Sequence, residues 1–236
     1  MNPFATLLDL FLPRICHICE TKLLPSEQFV CSDCLAKLPR TGYEKYRLNT
    51  STPNSDLNPL ELRFAGQIPI ERGCAPFFYS RDSSLATLVH DFKYRGFSNL
   101  AITMGRLGAL TLKDSGLFDG VDLLLPIPLH WFKRLKRGYN QSKMIAEGIS
   151  AETGIPIGTN LTASKPHRTQ TSLSPNQRIA NTRDIFRIRN PRELDGKTVM
   201  LVDDICTTGA TLLSAANAIL DASKDVKFRI FTLGVV

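Results

Sequence analysis

Val199-Met200-Leu201-Val202-Asp203-Asp204-Ile205-Cys206-Thr207-Thr208-Gly209-Ala210-Thr211 is the stretch that decides the fold. Four apolar residues run into two adjacent carboxylates, a short Thr/Gly loop follows, and Leu212 to Leu220 reads as a helix. The apolar run is short and β-branched enough for a buried parallel strand. The order is therefore strand, loop, helix, with acid at the strand's carboxyl end. Open α/β sheets bind their ligands at that edge.

The loop has a chemistry of its own. Backbone N–H groups in the first turn of a helix lack intrahelical partners and sit at the positive end of its dipole, so a phosphate fits there. Thr207, Thr208 and Thr211 add hydroxyl donors around Cys206 and Ala210, and Gly209 lets the backbone come close. Asp203 and Asp204 would repel that anion. They suit sugar hydroxyls instead, or a Mg²⁺ that bridges them to phosphate oxygens. A ligand with a phosphate at one end and a vicinal diol at the other satisfies both halves, and phosphoribosyl compounds have that shape. On these residues the segment resembles the phosphoribosyl-pyrophosphate (PRPP) signature of type I phosphoribosyltransferases. The resemblance implies that Asp203 and Asp204 face the ribose and that Cys206 to Thr211 cradle the 5′-phosphate. A buried strand ending in a solvated acidic pair is the plainer alternative. A Walker loop fits worse, because no Gly-Lys-Ser/Thr is present.

Working outward, strands and helices alternate. Phe77 to Tyr79 reads as a strand, and Ser84 to Lys93 as a helix capped by Ser83 and stopped by Gly96. Leu100 to Leu112 reads as a second helix, Val121 to Pro128 as a buried strand, and Gln141 to Glu152 as a helix. Leu161 to Ala163 and Phe228 to Val235 close the series. Alternation of this kind predicts an α/β fold, a parallel sheet flanked by helices. The expected layout is a small N-terminal module over 1–40, a connector or hood region over 41–73, and the main domain over 74–236.

Beyond the Val121 to Pro128 strand lie Arg134, Arg137, Gly138, Tyr139, Asn140 and Gln141. The planar fork of arginine matches phosphate oxygens, so Arg134, Arg137, Asn140 and Gln141 are candidates for a pyrophosphate or other anion. The chain carries +7, and residues 121–192 hold twelve Lys and Arg against four acids. The excess therefore lies in the middle of the chain, where an anionic partner would dock. Lys133, Lys136, Tyr139, Arg168 and Arg178 are the candidates for nucleic acid, although a solvated basic face is a common alternative.

The N-terminal region carries Cys16-His17-Ile18-Cys19 and Cys31-Ser32-Asp33-Cys34. Two Cys-x-x-Cys pairs at short separation predict a Zn²⁺ site of four thiolates, structural because no position is left open. His17 reads as a bystander. Disulfides would need an oxidising compartment, and a redox pair would need a βαβ context. Asn2 to Leu12 fits a short apolar helix, and with Asp9, Pro13 and no preceding basic residue it does not resemble a secretory signal. No apolar run is long enough to cross a bilayer. A cytoplasmic protein without membrane insertion is expected.

Taken together, the four-Cys module, Pro126-x-Pro128, Arg134-x-x-Arg137-Gly138-Tyr139-Asn140-Gln141, Arg168-x-Gln170, Arg178-x-x-Asn181 and the PRPP signature resemble the ComF family. These are bacterial competence-associated, phosphoribosyltransferase-like proteins. The family's Arg-Gly-Phe-Asn-Gln pattern appears here with Tyr139 in place of Phe. The resemblance implies a role in natural transformation, in which incoming single-stranded DNA is handled alongside a competence helicase and recombination mediators. An active Mg²⁺-dependent phosphoribosyltransferase with an unidentified acceptor is one alternative, and a PRPP-sensing regulator another.

Overall fold

The computed structural model describes residues 13–46, 57–129, 135, 137–163 and 185–236. Its centre is a parallel sheet of five strands: β1 (Ile70–Cys74), β2 (Phe77–Phe78), β3 (Leu123–Pro126), β6 (Thr198–Cys206) and β7 (Lys227–Val235). The order is β1-β7-β6-β3, with β2 continuing the β1 edge along β7. A separate antiparallel pair joins β4 (Leu161–Ala163) to β5 (Phe186–Ile188). The motif strand β6 is therefore interior, paired with β7 from Thr198 to Cys206 and with β3 from Val199 to Val202. Val199, Met200, Leu201 and Val202 are fully buried, as a strand covered on both faces requires.

Helices flank the sheet. They are α3 (Ser84–Tyr94), α4 (Ser98–Thr111), α5 (Gln141–Thr153) and α6 (Ala210–Ala222), with the short α1 (Ser32–Ala36) and α2 (Pro59–Leu62) ahead of them. Ser83 caps α3 by accepting the Ala86 N–H at 3.2 Å. α4 and α5 pack backbone to backbone. A Cβ on Gly105 would strike the Ile145 carbonyl, and one on Gly148 the Ile102 carbonyl. The two glycines are there for that close approach.

The sheet takes in Ile70–Cys74, so the connector region supplies an edge strand. Helix α2 is stapled to it. Asn58 and Glu61 form a reciprocal cap, while the Asn58 amide donates to the Gly73 carbonyl at 2.7 Å and the Gly73 N–H donates to Glu61 at 3.0 Å. Further upstream, a bridge between Ile15 and Lys22 and helix α1 shape the cysteine module. No helix among the described residues is long and apolar enough to cross a membrane. The expected N-terminal helix over Asn2 to Leu12 lies outside the described residues.

Candidate functional site

β6 keeps its register past the apolar run, with Asp203 opposite Thr232 and Ile205 opposite Gly234. The acidic pair thus stands near the carboxyl end of a central strand that stays paired through Cys206. Asp203 Oδ1 accepts from the Ser142 hydroxyl at 2.9 Å and from the Asp204 N–H at 2.9 Å. Asp204 Oδ1 accepts the Ile205 N–H at 2.7 Å, and its Oδ2 faces Lys93 Nζ at 2.6 Å. The two acids are therefore unequal. Asp204 is clamped by a cation, whereas Asp203 has no partner on Oδ2 among the described residues. Burial first, and the neighbouring Asp204 charge second, push the Asp203 carboxyl up from 3.8 to about 7, against the opposing pull of the Asp204 N–H, Ser142 and Lys93.

The Thr/Gly loop follows. Thr207 and Thr208 are exposed, Gly209 is the left-handed N-cap residue of α6 at φ 81°, and no side chain caps that helix. The Ala210 N–H donates to the Thr208 hydroxyl at 3.4 Å, and the other unpaired N–H groups of the first turn are left to solvent or to an anion. Phe64 lies directly beneath, where a Cβ on Gly209 would meet its ring at 2.8 Å. Arg63 clamps the loop from the side, donating to the Thr207 carbonyl and, at 2.5 Å, to the Val236 carbonyl. Cys206 is buried, which holds its thiol above the ordinary range, so it supports the loop as a packed side chain.

At the neighbouring edge, α5 begins where β3 ends. Asn140 caps α5 by accepting the Ser142 N–H at 3.1 Å, and its amide donates to the Ile127 carbonyl at 2.9 Å. This double bond pins the start of α5 to the exit of β3 and so delivers Ser142 to Asp203. Arg137 donates to Gln141 Oε1 at 3.1 Å and lies over the Tyr94 ring at 5.2 Å. Gln141 is buried, and its Nε2 has no partner among the described residues. The Tyr139 hydroxyl donates to the Phe92 carbonyl, which turns that ring inward. Lys133, Arg134, Lys136, Arg168 and Arg178 lie outside the described residues.

The four thiols of Cys16, Cys19, Cys31 and Cys34 converge, with all sulfurs within 4.8 Å of one another. Tetrahedral zinc with Zn–S near 2.3 Å spaces its sulfurs by ~3.8 Å, and Cys19 and Cys31 stand 3.7 Å apart. N–H groups of Ile18 and Cys31 point at Cys16 Sγ from 3.5 and 3.4 Å. The set is compatible with a structural zinc. The Thr21 hydroxyl and N–H hold the Cys19 thiol down at about 6, while burial and the other sulfurs push Cys34 up. His17 stays out of the sulfur set. Its Nδ1 meets the buried Asp91 of α3 at 2.5 Å, docking the module onto the same helix that carries Lys93.

Sequence reasoning missed Lys93, Ser142 and Arg63, each of which reaches the site from another element. It also missed the docking of His17 on Asp91.

Comparisons with known proteins converge on this chain. Residues 139–233 match the phosphoribosyl transferase domain family. Competence protein F of Haemophilus influenzae is 32% identical over 133 residues, covering 54% of this chain and 58% of that protein. Competence protein ComFC of Bacillus subtilis is 26% identical over 227 residues, covering 93% of this chain and 83% of the relative. The chain is similar to these competence proteins. A further relative, DNA utilization protein YhgH of Escherichia coli K12, is 28% identical over 221 residues, covering 89% of this chain and 92% of YhgH. The match to the Haemophilus protein spans a little over half of that relative's length.

Proposed function

We propose that this chain binds PRPP at the carboxyl edge of β6 and acts in the cytoplasm in the handling of incoming single-stranded DNA during competence. One observation carries the ligand reading: an acidic pair and an uncapped helix start adjoin on one strand end. In this reading Asp203, with its free Oδ2, receives the ribose hydroxyls. Asp204 stays ionised under Lys93. The N–H groups and hydroxyls of Thr207 to Thr211 take the 5′-phosphate. Arg137, steadied by Gln141 and Tyr94, faces the diphosphate end. Mg²⁺ enters with the diphosphate as part of the substrate. The relatives' names, competence protein and DNA utilization protein, support the DNA role. The four cysteines hold a structural Zn²⁺, which supplies folding free energy to a module too small for its own core.

Transfer of the phosphoribosyl group to an acceptor is a second reading. A carboxyl that titrates at about 7 is matched to proton acceptance near neutral pH, and Asp203 has that property. Calorimetry with PRPP and Mg²⁺ tests the site. Wild type is expected to give saturable heat and Asp203→Ala/Asp204→Ala none. Equal heats would show that the acidic pair is not the site.

A further inference from the structure

The DNA reading leaves open where a strand would touch the described surface. A cleft of about 640 Å³ lies between the cysteine module and the first turns of α4. Pockets of that size take small organic ligands. Its walls include Arg14, His17, Phe29, Phe97, Asn99 and Arg106, and no carboxylate is among its described lining residues. Three of those six are aromatic. His17 sits 4.6 Å from Phe97 with the rings perpendicular, and 5.8 Å from Phe29. The cluster is fixed from behind, because the His17 ring is bonded to Asp91, a residue only 2% exposed. Phe97 is nevertheless 38% exposed, an aromatic ring kept at the surface.

Each of the two cations has a partner of its own. Arg14 donates to the Glu27 carbonyl at 2.9 Å, and Arg106 to Glu152 at 2.6 Å. Bases present a flat π face to an aromatic ring, and their phosphates seek arginine. The Asn99 amide, exposed at the start of α4, can bond a base edge without selecting one base.

We propose that this cleft is a docking site for a base of single-stranded DNA, with Phe97 as the stacking surface and Arg14 and Arg106 beside the flanking phosphates. The proposal rests on the DNA reading above. It commits to a strand because the cleft opens at the surface and its described lining carries two arginines beside aromatic rings and no carboxylate.

Fluorescence anisotropy with labelled oligothymidylate, longer than the ~4–16 nucleotides a single-strand module covers, tests it on the full zinc-loaded chain. Phe97→Ala is expected to weaken binding by roughly 5- to 150-fold, the range for loss of one stacked base. Phe97→Trp is expected to retain it. Asn99→Asp, a surface change that introduces a negative charge, is expected to weaken it as well. Zinc content and PRPP heats of these variants should match wild type. If wild type binds and all three variants bind equally, the cleft is not the docking site while the DNA reading stands. Absence of strand binding by wild type overturns both. Competition by thymidine monophosphate as effective as that of the oligomer would make the cleft a mononucleotide site and overturn the strand.

Discussion

Asp203→Asn should make the ligand-free protein more stable while removing PRPP binding. The Asn side chain keeps an Oδ1 that can accept from the Ser142 hydroxyl and the Asp204 N–H, so the local bonds survive and only the charge is lost. In the folded chain this carboxyl titrates at about 7 instead of 3.8, chiefly because it is buried. A raised folded pKa means that stability is full below about 4 and is lost as pH rises through about 7. At ~1.4 kcal/mol per pKa unit the ceiling on that loss is ~4 kcal/mol. Residual solvent contact reduces it to ~2 kcal/mol. For a chain of this size that is a rise in Tm of roughly 4–8 °C for the variant at alkaline pH. The assay is thermal unfolding of both proteins in chelator-free buffer from acid to alkaline pH. Other titrations largely cancel in the difference between them. The difference should be near zero below pH 4, open between 4 and 7, and then level off. A variant that is less stable at alkaline pH, or a difference independent of pH, would refute the placement of an ionised, buried carboxylate at this position.

Two further outcomes are expected. Lys93→Met leaves Asp204 without its 2.6 Å partner and removes a charge that lowers the Asp203 pKa; the pH midpoint of PRPP binding, measured by calorimetry, should move upward, and Lys93→Arg should move it back. Metal analysis should find one zinc per chain, lost in Cys16→Ser, and a strong chelator should raise thiol reactivity and hydrogen exchange across residues 13–40.

The acidic pair and its loop could be read from sequence because their residues are contiguous: apolar run, acids and Thr/Gly loop follow in one line. The cysteine spacing was legible for the same reason. Edge strand β1 was not. Ile70-Glu71-Arg72-Gly73-Cys74 has charges at its middle, and Arg72 is tolerated there because it donates to the carbonyls of Ser115 and Tyr46. The residues that tune the site were also invisible. Ser142 meets Asp203 across 61 positions of chain and Arg63 meets Thr207 across 144, separations that no local pattern encodes. Lys93 reads in sequence as an ordinary cation in the last turn of an amphipathic helix, which suits the helix dipole. Only the packing of α3 reveals its second task. His17, which reads in sequence as a bystander, has a ring that anchors the module on Asp91.

The glycine contact between α4 and α5 has a mechanical consequence. Two backbones that touch at Gly105 and Gly148 leave no compressible layer of side chains between them, so these helices cannot slide without prising apart main-chain atoms. Ser142, at the head of α5, is thereby held as if on a fixed post. Lys93 is carried by α3, whose Asp91 is bonded to His17 of the cysteine module, so the opposite wall of the pocket is anchored through the cysteines.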